Sequence, residues 1–424
     1  MKKILILLFL LPAGVLADDL NGADTAWILT STALVLLMIL PGLALFYGGL
    51  VRSKNILSIL MQCFSIAGIV SILWLVAGYS IAFADGNLYF GSLSKFMLSG
   101  VTEDSLHGNI PEGLFALFQM TFAIITPALI IGSFAERMKF SAVLLFSGIW
   151  VLLVYAPIAH WVWGGGWLQQ MGVLDFAGGL VVHITAGVSA LVAAIVLGPR
   201  VGFPSKPMPP HNMTMTITGA GMLWIGWFGF NGGSALAANS DAAMAMLATH
   251  ISAAAAAMSW MFYEWIKFGK PTALGTVTGM VAGLGTITPA SGFVGPAGAL
   301  VIGILAGLIC FNAVIFVKQK FKIDDSLDVF PVHGIGGMLG VLLAGVFASS
   351  ELGLFSGHGL PAGLTIASQL GIQALAVLAV GVYAAVATFI ILKIVGLITG
   401  LRVSKEEEQQ GLDLISHEEK GYNL

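Results

Sequence analysis

Apolar runs of roughly twenty residues recur along the chain, broken by short polar or Gly/Pro-rich connections. A run of that length crosses a bilayer as one helix, because lipid leaves every backbone polar group to be satisfied within the segment. The pattern predicts spans near residues 25–50, 57–84, 112–134, 139–160, 177–198, 212–231, 243–267, 272–290, 297–317, 328–348 and 371–400. The fold class expected is an all-α polytopic membrane protein with about eleven transmembrane helices. The first and last spans are long enough to tilt or kink.

The connections alternate in charge. Arg52 and Lys54, Arg137 and Lys139, Arg200 and Lys206, Lys267 and Lys270, and Lys318, Lys320 and Lys322 fall on every second connection, and Arg402, Lys405 and Lys420 lie in the tail. The intervening loops hold almost no positive charge, Lys95 being the exception. The positive-inside rule makes the basic set cytoplasmic, with the mature N-terminus outside and the C-terminus inside. An odd number of spans requires the same.

Two of the spans carry a histidine in matching settings. The first runs from Asp175 through Gly178 and Gly179 to Val182 and His183; the second runs from Asp325 to Val332 and His333. In each the Asp precedes the His by eight residues, and a Gly (Gly187, Gly337) follows four later. The histidines fall in the fifth and tenth expected spans. Five helices per unit invert the second unit relative to the first, so the chain reads as an inverted 5+5 repeat, about 25–198 and about 212–348. The final helix, about 371–400, stands outside the repeat as a peripheral element.

Composition narrows the class further. The chain has 424 residues, 58% hydrophobic and 9% charged, which excludes an ordinary soluble domain. A net charge of −3 gives no footprint for nucleic acid. Cys63 and Cys310 lie far apart in apolar segments and read as packing residues. Met1-Lys2-Lys3, the apolar Ile4 to Leu11 and the small-residue site ending at Ala17 predict a signal peptide over 1–17. No nucleophile–base pair, phosphate-binding loop, cofactor site or metal site is expected, and the chain is not expected to be an enzyme.

The residues alone leave their chemistry open. Intramembrane ionisable groups face a bundle interior or a pathway. Neutral imidazole offers one donor and one acceptor, so His183 and His333 suit a path for a small polar molecule or a proton. They also suit helix-linking contacts to carbonyls, or bis-His haem ligation. Asp175 and Asp325 read first as caps of helix N-termini, with an outer negative charge attracting cations as the alternative for Asp175. Trp161, Trp163 and Trp167 flank Gly164-Gly165-Gly166 and read as interface anchors, although a Trp face also holds a cation. Phe115, Phe118 and Phe122 form a stripe at helical spacing, and Phe122 and Phe230 read by composition as core.

Several segments together resemble the ammonium transporter family (the Amt, Mep and Rh proteins), and bacterial members most of all. They are Pro41-Gly42-Leu43-Ala44-Leu45-Phe46-Tyr47-Gly48-Gly49, Ala135-Glu136-Arg137, His160-Trp161-Val162-Trp163-Gly164-Gly165-Gly166, Asp175 through His183, Gly226-Trp227-Phe228-Gly229-Phe230-Asn231 and Val332-His333-Gly334. The resemblance covers essentially the whole mature chain. It implies an outer recruitment site for ammonium formed by Phe118, Trp163 and Ser234, and a gate of Phe122 and Phe230 with Trp227 nearby. His183 and His333 become twin histidines of a hydrophobic pore, and Asp175 supports the outer site without touching the ion.

The resemblance further implies a homotrimer with one pore per subunit, lying among membrane lipids in the bacterial inner membrane. The transmembrane domain is expected over 18–401 and a cytoplasmic regulatory tail over 402–424, where a PII-type nitrogen-signalling protein docks. By composition alone the tail is a candidate for disorder. An ammonium sensor or transceptor, and an Rh-like gas channel, are the alternatives to ammonium uptake.

Overall fold

The computed structural model describes residues 19–423, so the expected signal peptide over 1–17 lies outside the described residues. Most of the described chain is helix. Among the described residues nine helices are long and apolar enough to cross a membrane: α1 (Gly22–Leu50), α2 (Ser53–Phe83), α3 (Glu112–Phe134), α4 (Phe140–Gln170), α5 (Gly179–Leu197), α7 (Ser240–Phe268), α9 (Pro296–Lys320), α10 (Phe330–Phe347) and α11 (Ile366–Thr399). Two shorter helices, α6 (Met213–Trp227) and α8 (Ala273–Ile287), stand where the sixth and eighth spans are expected. Both stop early for local reasons: α6 widens into the turn Phe228–Gly232, and α8 runs into Thr288 and Pro289.

Several helices are broken within the bundle. Wide i→i+5 turns interrupt α1 at Met38–Leu43, around Pro41, and α2 at Trp74–Gly78. Proline removes one ladder donor and crowds the preceding turn, which accounts for the first. More telling are Gly179–Ile184 and Phe330–Ile335, where α5 and α10 begin as wide turns. Such turns concentrate at functional sites, and these two carry His183 and His333.

Packing brings the two histidine helices together. A Cβ on Gly187 would lie 2.2 Å from the Gly334 nitrogen, and one on Gly337 would lie 2.9 Å from the His183 Cβ. Each glycine that follows a histidine therefore makes room for the other histidine's turn. Glycine is required by contact here, as small residues are wherever membrane helices cross closely. The last helix, α11, packs along α4, α5 and α10. Its Gln373 takes the Leu174 N–H at 2.9 Å and donates to Leu174 O and Val341 O, each at 2.8 Å.

Basic residues gather at one end of the bundle. Arg200 pairs with Asp324 at 2.8 Å and with Glu136 at 3.1 Å, and Arg52 reaches Glu136 at 2.8 Å. Buried Arg137 spends its guanidinium on carbonyls, among them Gly198 O at 2.9 Å and Ser133 O at 3.0 Å, and on the Ser326 hydroxyl. Burial alone would raise the Glu136 carboxyl, but the Arg200 and Arg52 guanidiniums hold it below its usual value. Asp324 follows the same balance, held down by Arg200.

The tail is ordered against this end. Its two short helices are α12 (Lys405–Gln410) and α13 (Leu412–His417). Glu408 accepts from Val201 N and from Arg402, each at 2.7 Å, and Asp413 accepts from Ser58 N at 2.8 Å. The polar composition that allows disorder is thus offset by carboxylates that satisfy main-chain donors on the body. Away from the basic end, a two-stranded hairpin, β1 (Leu106–His107) and β2 (Ile110–Pro111), leads into α3 with His107 opposite Ile110.

Candidate functional site

Three cavities line up through the bundle. The first, about 270 Å³, opens at the tryptophan-bearing end and is lined by Phe122, Trp163 and Ser234 together with Phe83, His107, Phe115, Gln119, Gln169, Phe176 and Leu236. Beneath it Phe122 and Phe230 close together, ring centroids 4.3 Å apart and tilted by 34°. Below the rings lies a cavity of only about 10 Å³, walled by Met38, Leu43, Ile125, Leu129, Val182, Leu223, Trp227, His183 and His333. That is at the lower limit of the space one water needs, and its walls are mostly apolar, so the passage offers a bare ion little solvation. Phe46, Tyr47, Val281 and His333 belong also to the third cavity, about 130 Å³, which opens at the basic end beside Lys318 and Asp328.

Asp175 organises the upper site. Its carboxylate accepts four main-chain N–H groups, from Gly178 at 2.9 Å, Gly179 at 2.5 Å, Leu180 at 2.8 Å and Val181 at 3.2 Å. These are the otherwise unpaired donors at the start of α5. Its own carbonyl accepts from Trp163 Nε1 at 2.9 Å. Trp163 in turn stands edge-on to Phe122, centroids 6.0 Å apart at 88°. One residue therefore fixes both the histidine helix and the indole of the vestibule. Asp325 is less fully engaged: its Oδ2 accepts Phe330 N at 2.7 Å, while its Oδ1 has no partner.

Ser234 donates to Phe230 O at 2.8 Å, which leaves the hydroxyl oxygen free to accept from a ligand. Gln119 Oε1 is a second acceptor in the vestibule and has no protein partner. Phe118 differs from its neighbours. It is fully buried, packs on Phe122 with centroids 5.0 Å apart, and stands behind the cavity wall. Phe115 and Phe83 supply the vestibule's other aromatic faces.

The histidines meet within the narrow passage. His183 Nδ1 and His333 Nδ1 are 3.2 Å apart and the rings are near-parallel at 15°. A hydrogen bond between two Nδ1 atoms requires one to carry the proton and the other to be bare. His183 Nε2 has no partner among the described residues. Trp227 stacks on His183 at 5.6 Å and 16°, and its Nε1 donates to Thr288 at 2.9 Å. Trp227 thus abuts both His183 and, at 5.5 Å, Phe230.

Sequence reasoning missed His107, Gln119, Gln169 and Phe176 in the vestibule, and Lys318 and Asp328 below. The segment joining α2 and α3 gives no periodic signal, and its hairpin is placed over the vestibule only by the fold. Gln119, by contrast, was legible: it is the polar residue beside Phe118 in an apolar helix, where an amide is costly unless used.

Comparison with known proteins agrees with this fold. Residues 26–422 match the model of the Ammonium Transporter Family. The chain is 50% identical to the ammonium transporter of Bacillus subtilis (strain 168) over 94% of its own length and 98% of that protein's. Its structure is similar to that of a protein described as a sensor Amt protein, with a TM-score of 0.87, 31% identity, and 93% and 98% of the two chains covered. It is also similar to Saccharomyces cerevisiae Mep2, with a TM-score of 0.82, 35% identity, and 92% and 89% covered.

Proposed function

Since the chain belongs to the ammonium transporter family, we propose that it takes up ammonium by recruiting the cation at the vestibule, stripping a proton at the paired phenylalanines and passing ammonia along the twin histidines. The observation that carries this reading is the succession of cavities. A polar, aromatic-faced vestibule meets a closed pair of rings, then a narrow, mostly apolar passage that carries two imidazoles.

The chemistry follows from that order. In the vestibule Trp163 offers a cation–π face, and the Ser234 and Gln119 oxygens accept N–H donors. Ammonium and potassium share charge and approximate size, but only ammonium has directional donors and a removable proton. A cation that keeps its charge faces a desolvation penalty in the narrow passage. Ammonia does not, and it finds donor and acceptor edges on His183 and His333. The proton either returns to the vestibule or crosses separately by way of the imidazoles. The second case is electrogenic uptake and is the one proposed.

The same reading makes the protein a homotrimer in the bacterial inner membrane, surrounded by lipid. The vestibule faces outward, and the basic end and C-terminal tail face the cytoplasm. A PII-type protein acting on that tail is the proposed regulator. The test is current from purified protein on a solid-supported membrane, with ammonium pulses and potassium controls. A saturable ammonium current without a potassium current is expected. An ammonium-driven pH change without current would mean net ammonia conduction, as in a gas channel. Neither response in folded protein would move the reading to a sensor.

A further inference from the structure

We propose that His107 is a wall of the outer cation site, admitting ammonium while its imidazole is neutral and excluding it when protonated. This rests on the reading of the vestibule as the site where ammonium is recruited. His107 sits in strand β1 and is held by pairing with β2, opposite Ile110. Its ring lies flat on Phe115, centroids 3.6 Å apart at 11°, and lines the same cavity as Trp163, Gln119 and Ser234. Neither ring nitrogen makes a hydrogen bond to the described residues, so both remain available to a hydrated cation or its water. A neutral ring adds an acceptor to a site that already has two oxygens and a π face. A protonated ring has only donors and a positive charge, which opposes a second cation in the same cavity.

The surroundings favour the neutral form. Burial against Phe115 pushes the His107 ring below its usual value, which Glu112 opposes and Lys95 reinforces. Glu112 is largely engaged elsewhere, bonded to Tyr79 at 2.8 Å and paired with Lys95. On its own segment the charged residues are Glu103 and Asp104, both exposed. The ring therefore stays neutral around pH 7 and becomes charged only in acid surroundings. Each molecule with a protonated ring is removed from the binding-competent population. The half-saturating ammonium concentration then rises about tenfold per pH unit once pH falls well below the ring's pKa.

The experiment is the ammonium current recorded in proteoliposomes at outside pH 7.5 and 5.5 (chosen settings), with the half-saturating concentration read at each. Wild type is expected to lose affinity at the acid setting. His107→Gln, which cannot charge, should flatten that ratio toward one. His107→Arg, permanently charged, should bind weakly at both settings. His107→Asn stands in for Gln if that variant fails to insert. A wild-type ratio already near one, neutral variants with the wild-type ratio or with no current, or an Arg variant with wild-type affinity at pH 7.5, would each overturn the proposal. Trp163→Leu separates the two readings: if it leaves the half-saturating concentration unchanged, the vestibule itself is not the recruitment site. If it raises that concentration while the His107 variants change nothing, only the role of His107 fails.

Discussion

The indole N–H of Trp163 donates to the main-chain carbonyl of Asp175 at 2.9 Å, while the carboxylate of the same Asp175 gathers four N–H groups at the head of the His183 helix. The vestibule and the passage are thereby positioned by one residue that lines neither cavity.

Asp175→Ala should abolish ammonium uptake in protein that still inserts. It leaves four buried donors without partners, each worth about 1–3 kcal/mol when stranded, and it frees the turn that aims Trp163. Thermal unfolding in detergent should fall together with the current. Wild-type transport in a correctly inserted variant would refute the role given to this residue.

His183→Ala combined with His333→Ala should alter selectivity. It removes both imidazoles of the passage and widens a cavity of about 10 Å³. The ratio of ammonium to potassium current should change by about tenfold or more, equivalent to about 1.4 kcal/mol. The check is paired ammonium and potassium pulses; unchanged flux with unchanged exclusion of potassium would count against the assignment.

Gly187→Ala tests the approach of the two histidine helices. The added methyl would meet the Gly334 backbone at 2.2 Å, which no rotamer change relieves. Overpacking of this kind costs about 1–3 kcal/mol and should push the 3.2 Å contact between the rings apart. Lowered thermal stability with lost transport is expected. A variant with full stability would show that the crossing adjusts freely.

The basic end should respond to acid with a definite sign. Glu136 and Asp324 have folded pKa values below their unfolded ones, so their contribution is complete above the usual carboxylate value of about 4 and is lost as pH falls through the folded values. Unfolding temperature from these groups should therefore be flat from pH 7 down to about 5 and drop only below that. Glu136→Gln should blunt the drop. A loss beginning near neutrality would place its origin elsewhere.

Removal of the chain beyond Arg402 should weaken block by a PII-type protein while leaving the pore intact. Glu408→Ala is the finer version, because it strands the Val201 N–H and removes the carboxylate partner of Arg402. Limited proteolysis should reach the tail faster in that variant. A truncated protein still bound and blocked normally would remove the tail from the regulatory surface.

Much of this was legible in the sequence. Length and periodicity gave the helices, the alternation of Arg and Lys predicted the orientation, and the matched His183 and His333 settings pointed to a paired site. The glycines four residues later were visible as a pattern, but their reason, mutual clearance at the crossing, exists only in three dimensions. The wide turns that hold His183, Phe230 and His333 left no periodic trace, since an extra residue per turn looks like an ordinary apolar run. Phe118 and Phe122 share one stripe, yet a single helical turn separates a buried ring from one that lines the cavity. His107 was illegible because its neighbour in space, Phe115, is reached through a hairpin and not through helical spacing.

The Nδ1–Nδ1 contact makes the twin rings unequal at every instant, whatever symmetry the repeats impose. A proton taken up at the bare Nε2 of the ring beside Phe230 would drive the shared proton across and release another from the far ring. Each imidazole would then be left in the tautomer its partner had held. A second proton in the same direction would find the first Nε2 already occupied. On the proposed reading the pair would have to be rewound, by ring rotation or by exchange with a passing molecule, before it could advance again. Only a reset by exchange with ammonia would tie one proton to one ammonia; ring rotation would leave the two uncoupled.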